Sequence, residues 1–213
     1  MNNYLAVDTS GSHLTVVACK DGQAYPVFIK NCAMKQSTLL MGAIDEALQK
    51  ASLALQDCDF FAAVVGAGSF TGIRIGIAAM KGFCLAHGKP SLPVTSFDVA
   101  AYNAIENAGK ALCLIDALHG CYYACGYENG EVVYPPAYLE EDEVLALQKQ
   151  GYTLCACEKL PLAEKTEVQV FEPVAGLLRA VNARAAKGGF GELTALYVRK
   201  SSAEINLEKG QKA

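Results

Sequence analysis

Asp8, Thr9, Ser10, Gly11 and Ser12 stand together directly after a short apolar run. Small hydroxyls and a glycine in a tight turn let backbone N–H groups approach a phosphate, with a carboxylate such as Asp8 facing a magnesium-bound water. The same residue types also make ordinary turns. A second glycine-rich stretch, G-A-G-S-F-T-G-I-R-I-G over Gly66 to Gly76, follows a continuous apolar run. A buried strand opening through glycines onto a helix N-terminus is a geometry that holds anions. It is neither a P-loop nor a dinucleotide fingerprint, because it has no G-K-[ST] and its glycines are one residue out of step. Close packing of helix on strand is the other reading, and Gly72 and Gly76, four apart, suit it. The two stretches together nominate a nucleotide cleft of Asp8, Thr9, Ser10, Gly11, Gly68, Ser69 and Thr71.

Recognisable catalytic sets are missing. His13, His87 and His119 sit in three separate segments, none with a second histidine four residues on. No G-x-S-x-G and no Cys/His dyad with a positioning partner is present. Asp8 and Asp116 each end a strand, which by itself does not make a carboxylate pair. Nine cysteines occur without any C-x-x-C. They read as reduced core residues of a reducing compartment, and no metal or other cofactor is expected. Net charge is −4, so no global field draws nucleic acid. Arg179, Arg184 and Lys187 read as a solvated helix face. No apolar run reaches the roughly 18 residues of a membrane span, and Met1-Asn2-Asn3-Tyr4 does not open a secretory signal. A cytoplasmic protein is the expectation.

These residues need elements to position them. Tyr4–Val7, His13–Cys19 and Ala24–Ile29 read as three antiparallel strands, the last two joined at Asp21-Gly22. A helix is expected from a Ser37 cap to about Leu55, then a buried strand over Phe60–Val65 and a helix over Gly72–His87. A strand over Leu92–Thr95 leads to a helix capped by Ser96 and running to about Asn107. Beyond a boundary near Gly109, strands are expected over Ala111–Ile115, Cys121–Tyr127 and Val132–Tyr138. A helix over Glu140–Gln150, a strand over Tyr152–Cys157 and a helix over Val174–Lys187 follow. The second half thus repeats the first in outline, giving domains 1–108 and 109–213, with Ile205–Ala213 as a frayed end.

The first two helices are apolar over a wider arc than one core-facing stripe requires. From Ile73 to Ala86 the only charges are Arg74 and Lys81. Such excess implies a second contact surface, and Leu39, Ala43, Ile73, Gly76, Ile77 and Met80 are its candidate residues.

The D-T-S-G turn, the Gly66–Gly76 loop, Lys81-Gly82, Ile115-Asp116-Ala117 and the closing Leu196-Tyr197-Val198-Arg199-Lys200 resemble the TsaB (YeaZ) family. The resemblance covers most of the chain in order. It implies a two-lobed, actin-like (ribonuclease-H-like) α/β fold, each lobe a mixed sheet with helices. It also implies a subunit of the bacterial tRNA threonylcarbamoyladenosine machinery, binding the catalytic sister TsaD and, in complex, the ATPase TsaE. tRNA would be met only through that complex, and a homodimer could form when the chain is alone. Ala67, Gln36, Gly42 and Leu118 depart from the proline, histidine, proline and arginine usual in the family. The sister carries H-x-x-x-H metal ligands where this chain has Ser96 and Ala100, and a hydroxyl and a methyl cannot replace two imidazoles. The implied role is a non-catalytic scaffold. The rival is an ATP-dependent phosphotransferase or glycoprotease-like hydrolase using Asp8 and the Gly66–Gly72 loop.

Overall fold

The first sheet grows from β1 (Tyr4–Asp8), a strand buried along its whole length. An unbroken apolar run suits a strand covered on both faces. β2 (Leu14–Lys20) pairs antiparallel with it, Tyr4 opposite Cys19. β3 (Gln23–Ile29) returns through Asp21 and Gly22, with φ of 52° and 82°. Two consecutive left-handed residues make the turn whose twist matches a right-handed hairpin. β4 (Phe60–Val64) runs parallel beside β1, and β5 (Ser91–Val94) parallel beside β4, giving the order β3-β2-β1-β4-β5.

Alternate residues of these strands feed two different cores. Leu5, Val7, Leu14 and Val16 pack under α1 (Gln36–Ala51) and α2 (Phe70–His87). Tyr4, Ala6, Val17 and Phe60 pack under Leu177, Ala180 and Val181 of α5 (Pro173–Ala186). The helix nearest the C-terminus of the described chain therefore closes the first sheet, from the far side of the sequence boundary near Gly109.

The second sheet repeats the pattern. β6 (Lys110–Asp116), β7 (Cys121–Glu128) and β8 (Glu131–Glu140) are antiparallel neighbours. β9 (Thr153–Ala156) and the short β10 (Gln169–Val170) extend the other side in parallel, in the order β10-β9-β6-β7-β8. Both sheets thus have the same strand order when each is counted along its own half of the chain. This is the two-lobed, actin-like α/β architecture expected from the resemblance. One face of the second sheet carries Phe97, Ala100 and Ala104 of α3 (Ser96–Ala104) against Cys113, Cys125 and Cys155. Val144 of α4 (Glu141–Lys149) packs with Leu112, Leu114 and Tyr122 on the other. The computed structural model describes residues 2–104 and 109–199; the expected end of the third helix at Asn107, Lys200 and the segment 205–213 lie outside them.

Several helix ends differ from expectation, most for a local reason. α1 stops at Ala51, not Leu55, because Ser52 turns left-handed at φ 48° and its N–H caps the Leu48 and Gln49 carbonyls. Its N-cap is Lys35 in place of Ser37. α2 starts two residues early, where the Ser69 hydroxyl accepts from Gly72 N at 3.2 Å. α3 is capped by Thr95, not Ser96: Thr95 Oγ1 accepts from Asp98 N at 3.0 Å, and Asp98 Oδ2 from Thr95 N at 2.8 Å. All nine cysteines are free thiols. Burial, above all, raises the Cys113, Cys125 and Cys155 thiols, to about 12 for the latter two, as suits core residues.

Candidate functional site

The two lobes leave a cleft of about 780 Å³ between them. Asp8, Ser10, Gly11 and His13 of the first hairpin enter it from one side, with Gly68 and Ser69 of the glycine loop. Ser96 and Ala100 line its floor, and Asp116, Leu118, Cys157 and Glu158 come from the second lobe. Five of the seven residues nominated for a nucleotide cleft therefore line this cleft.

Thr9 and Thr71 do not. Thr9 is buried on the opposite side of the turn, its hydroxyl donating to the Gly72 carbonyl at 2.6 Å. Alternation along an extended segment sends Thr9 away from the face that Asp8 and Ser10 share. Thr71 is exposed on the outer surface of α2. The contact with Thr9 also explains Gly72 and Gly76: a Cβ on Gly72 would lie 2.1 Å from the Thr9 carbonyl oxygen, and one on Gly76 2.6 Å from Thr9 Oγ1. Close packing of helix on strand is what these two glycines permit. Gly68 differs, since its φ of 146° belongs to glycine and a Cβ there would meet the Ser10 carbonyl at 2.4 Å.

The centre of the cleft is polar and connected. Asp8 Oδ1 accepts from the Ser10 amide at 2.8 Å and hydroxyl at 2.6 Å. His13 lies between two carboxylates, Nδ1 at 2.9 Å from Glu158 Oε1 and Nε2 at 3.4 Å from Asp8 Oδ2. An imidazole facing an anion on each side is a cation donating from both nitrogens. Burial, the strongest single influence, would lower His13, but hydrogen bonds and charge from Asp8 and Glu158 outweigh it and raise it to about 10. For Asp8 and Glu158 burial would raise the pKa, yet the His13 partnership and the hydrogen bonds from Ser10 and Ser12 bring both below the usual carboxylate range.

Stability should follow from these directions. The raised His13 contributes in full below its ordinary 6.5 and loses that contribution as pH climbs toward about 10. The lowered Asp8 and Glu158 contribute above their ordinary values of 3.8 and 4.5, and lose this as pH falls below them. The urea midpoint should therefore hold a plateau from about pH 5 to 7 and decline on both sides. His13→Gln should flatten the alkaline limb; a wild-type midpoint unchanged between pH 7 and roughly 10 would refute the buried imidazolium.

Ser96 and Ala100 stand one helical turn apart on α3. The Ser96 hydroxyl donates to the Ala67 carbonyl at 2.6 Å and lies 3.0 Å from Ser10 Oγ, while Ala100 is buried in the core. Gln36, in place of the family's usual histidine, is buried and donates from Nε2 to the Gly11 carbonyl at 2.9 Å.

The residues expected on a partner surface are a correction. Ala43, Ile73, Gly76, Ile77 and Met80 are buried, and the apolar ones among them pack in the first core; Leu39 is half-buried against it. With apolar residues nearly all round α2, periodicity could not choose which face meets the sheet. The outward faces carry Met41 on α1, and Ala78, Gly82 and Leu85 on α2, with Leu85 88% exposed.

With this geometry in place, three comparisons bear on kinship. The family model described as "TsaD: tRNA N6-adenosine threonylcarbamoyltransferase" matches residues 9–198. The chain belongs to that family. Within it the likeness is to TsaB, also called YeaZ, as the sequence motifs implied. The Escherichia coli K12 protein named tRNA threonylcarbamoyladenosine biosynthesis protein TsaB is 30% identical over 129 residues, covering 60% of this chain and 55% of that one. The Bacillus subtilis protein of the same name is 28% identical over 128 residues, 59% of this chain and 56% of that one. This chain thus aligns with a little over half the length of those relatives. Among solved structures, YeaZ from Pseudomonas aeruginosa superposes with a TM-score of 0.75 at 22% identity, over 92% of this chain and 100% of that one. That shared fold agrees with the two-lobed architecture.

Sequence reasoning missed His13 and Glu158. They lie 145 residues apart, and no local pattern joins them. It also missed what Phe70 and Arg74 of the glycine motif do. The Arg74 guanidinium lies 3.7 Å over the Phe70 ring and donates from Nε to Tyr197 Oη at 2.9 Å, while Phe70 stacks on Tyr197. The glycine motif and the closing L-Y-V-R stretch are two sides of one contact, continued where Leu196 N donates to the Val65 carbonyl at 2.7 Å. Lys187 is exposed and pairs with Glu131, as the solvated-face reading expects. Arg184, by contrast, is half-buried and turns inward to the buried Asp98, its Nη1 donating to Oδ2 at 3.3 Å. No helix among the described residues is long and apolar enough to cross a membrane.

Proposed function

We propose that this chain is a non-catalytic scaffold of the tRNA threonylcarbamoyladenosine machinery, docking the catalytic sister TsaD and, in the complex, the ATPase TsaE. The observation that carries the reading is at Ser96 and Ala100. At the two positions matching the sister's metal-binding histidines, this chain has a hydroxyl committed to the Ala67 carbonyl and a methyl committed to the core. Neither side chain is a transition-metal ligand of the imidazole kind. The names carried by the relatives support the process, and tRNA contact runs through the complex.

The docking face is the outer side of α1 and α2. Met41 and Leu85 are 49% and 88% exposed, and a Cβ on Gly42 or Gly82 would meet nothing within 4 Å. Two such helices against two from a partner bury on the order of 1,200–2,000 Å². The same face serves a homodimer when the sister is missing.

Met41→Glu with Leu85→Glu should leave circular dichroism unchanged and weaken association with TsaD on size exclusion by about tenfold or more. Undiminished association would move the interface elsewhere. ATP turnover by the chain alone, abolished in Asp8→Ala, would favour the phosphotransferase rival.

A further inference from the structure

The opening hairpin holds a small anion seat, and the chain itself has put an anion in it. Ser12 N–H and His13 Nδ1–H converge on a single oxygen, Glu158 Oε1, at 2.5 and 2.9 Å. A Cβ on Gly11 would stand 2.2 Å from that oxygen, so the missing side chain is what admits the carboxylate. On its far side His13 is held by Asp8, itself fixed by two hydrogen bonds from Ser10. The seat is therefore supplied by the first lobe as two N–H donors, one of them on a charged imidazole that Asp8 orients from behind and partly offsets. Glu158 arrives from the second lobe, in the loop just after β9, and its side chain keeps 36% exposure.

We propose that Glu158 is an internal anionic ligand: it fills the seat of Ser12 and His13, latches the lobes together, and keeps phosphate-bearing ligands out of the cleft. The two donors are engaged by one carboxylate oxygen, and an incoming phosphate oxygen needs the same two. A charge-assisted pair of this kind is stronger than a neutral hydrogen bond, so a competitor must displace it and tolerate the displaced negative charge nearby. Glu158 has open space toward solvent into which it can swing. The cleft is thus closed to anions by one side chain, while the seat beneath stays intact. The proposal does not rest on the scaffold reading, since the seat can be tested on the chain alone.

Titration calorimetry of the full chain with pyrophosphate tests it, using wild type, Glu158→Ala and Glu158→Gln. Glu158→Ala should bind pyrophosphate about tenfold or more tightly than wild type, because Ser12 N–H and His13 are released to the ligand. Glu158→Gln, which keeps the shape of the plug but loses its charge, should show a smaller gain. Equal binding by wild type and a folded Glu158→Ala overturns the proposal. Should Glu158→Ala fail to fold, the Gln variant decides, and no gain over wild type overturns it. Loss of TsaD binding in these variants would bear on the scaffold reading and leave the pyrophosphate result untouched.

Discussion

Ile73→Glu should remove a large part of the chain's stability. Ile73 is 0% exposed and packs among apolar side chains in the core beneath α2. An uncompensated charge in such a place costs about 3–5 kcal/mol even after relaxation. The net stability of a domain is only roughly 5–15 kcal/mol. Far-UV circular dichroism and a urea titration should show a chain largely unfolded, or with its midpoint collapsed. Leu85→Glu on the same helix makes the same chemical change at 88% exposure. It should stay within about 0.5 kcal/mol of wild type. The contrast separates core from partner surface on one helix. A folded Ile73→Glu that loses its partner would return that residue to the interface and discredit the packing described here.

Gly72→Ala is the second large effect, and a single methyl causes it. The added Cβ would lie 2.1 Å from the carbonyl oxygen of Thr9, a backbone atom that cannot rotate out of the way. Either α2 lifts from β1 or the turn carrying Asp8 and Ser10 shifts. Overpacking of this kind costs about 1–3 kcal/mol, a fall in Tm of about 2–4 °C for each kcal/mol in a chain of this size. Gly82→Ala is the control, because its Cβ would meet nothing within 4 Å and the residue is exposed in mid-helix. That substitution should stabilise by roughly 0.5–1 kcal/mol through helix propensity. Scanning calorimetry reads both signs. A stabilised Gly72→Ala would mean that the added methyl is accommodated and that the helix–strand contact does not require a glycine there.

Much of the scaffold was legible because it is written locally. Strand alternation in β2, the Asp21-Gly22 turn and the continuous apolar run of β4 each specify their element from near neighbours. The order of strands and helices followed, and with it the two-lobed outline. The glycine motif was specific enough to point to the family, and placed Gly68 and Ser69 at the cleft. Helix ends were less legible. Thr95 and Ser96 are both good capping residues, and only the reciprocal bonds with Asp98 pick the first.

What tertiary structure decided has one physical character: it depends on groups far apart in sequence. A helix apolar nearly all round has no periodicity to say which face lies on a sheet, so Ile73, Ile77 and Met80 went inward and Leu85 outward only once β1 and β4 were beneath them. His13 was an isolated histidine in the sequence. It became the centre of an ion network when the second lobe brought Glu158 across 145 residues to meet it, opposite Asp8. The residue types and their local spacing determined that there would be a cleft with a polar hairpin at its edge. Which side chain fills that hairpin was settled by the approach of the two sheets, because an anion seat made by one lobe is satisfied by whatever the other lobe places above it.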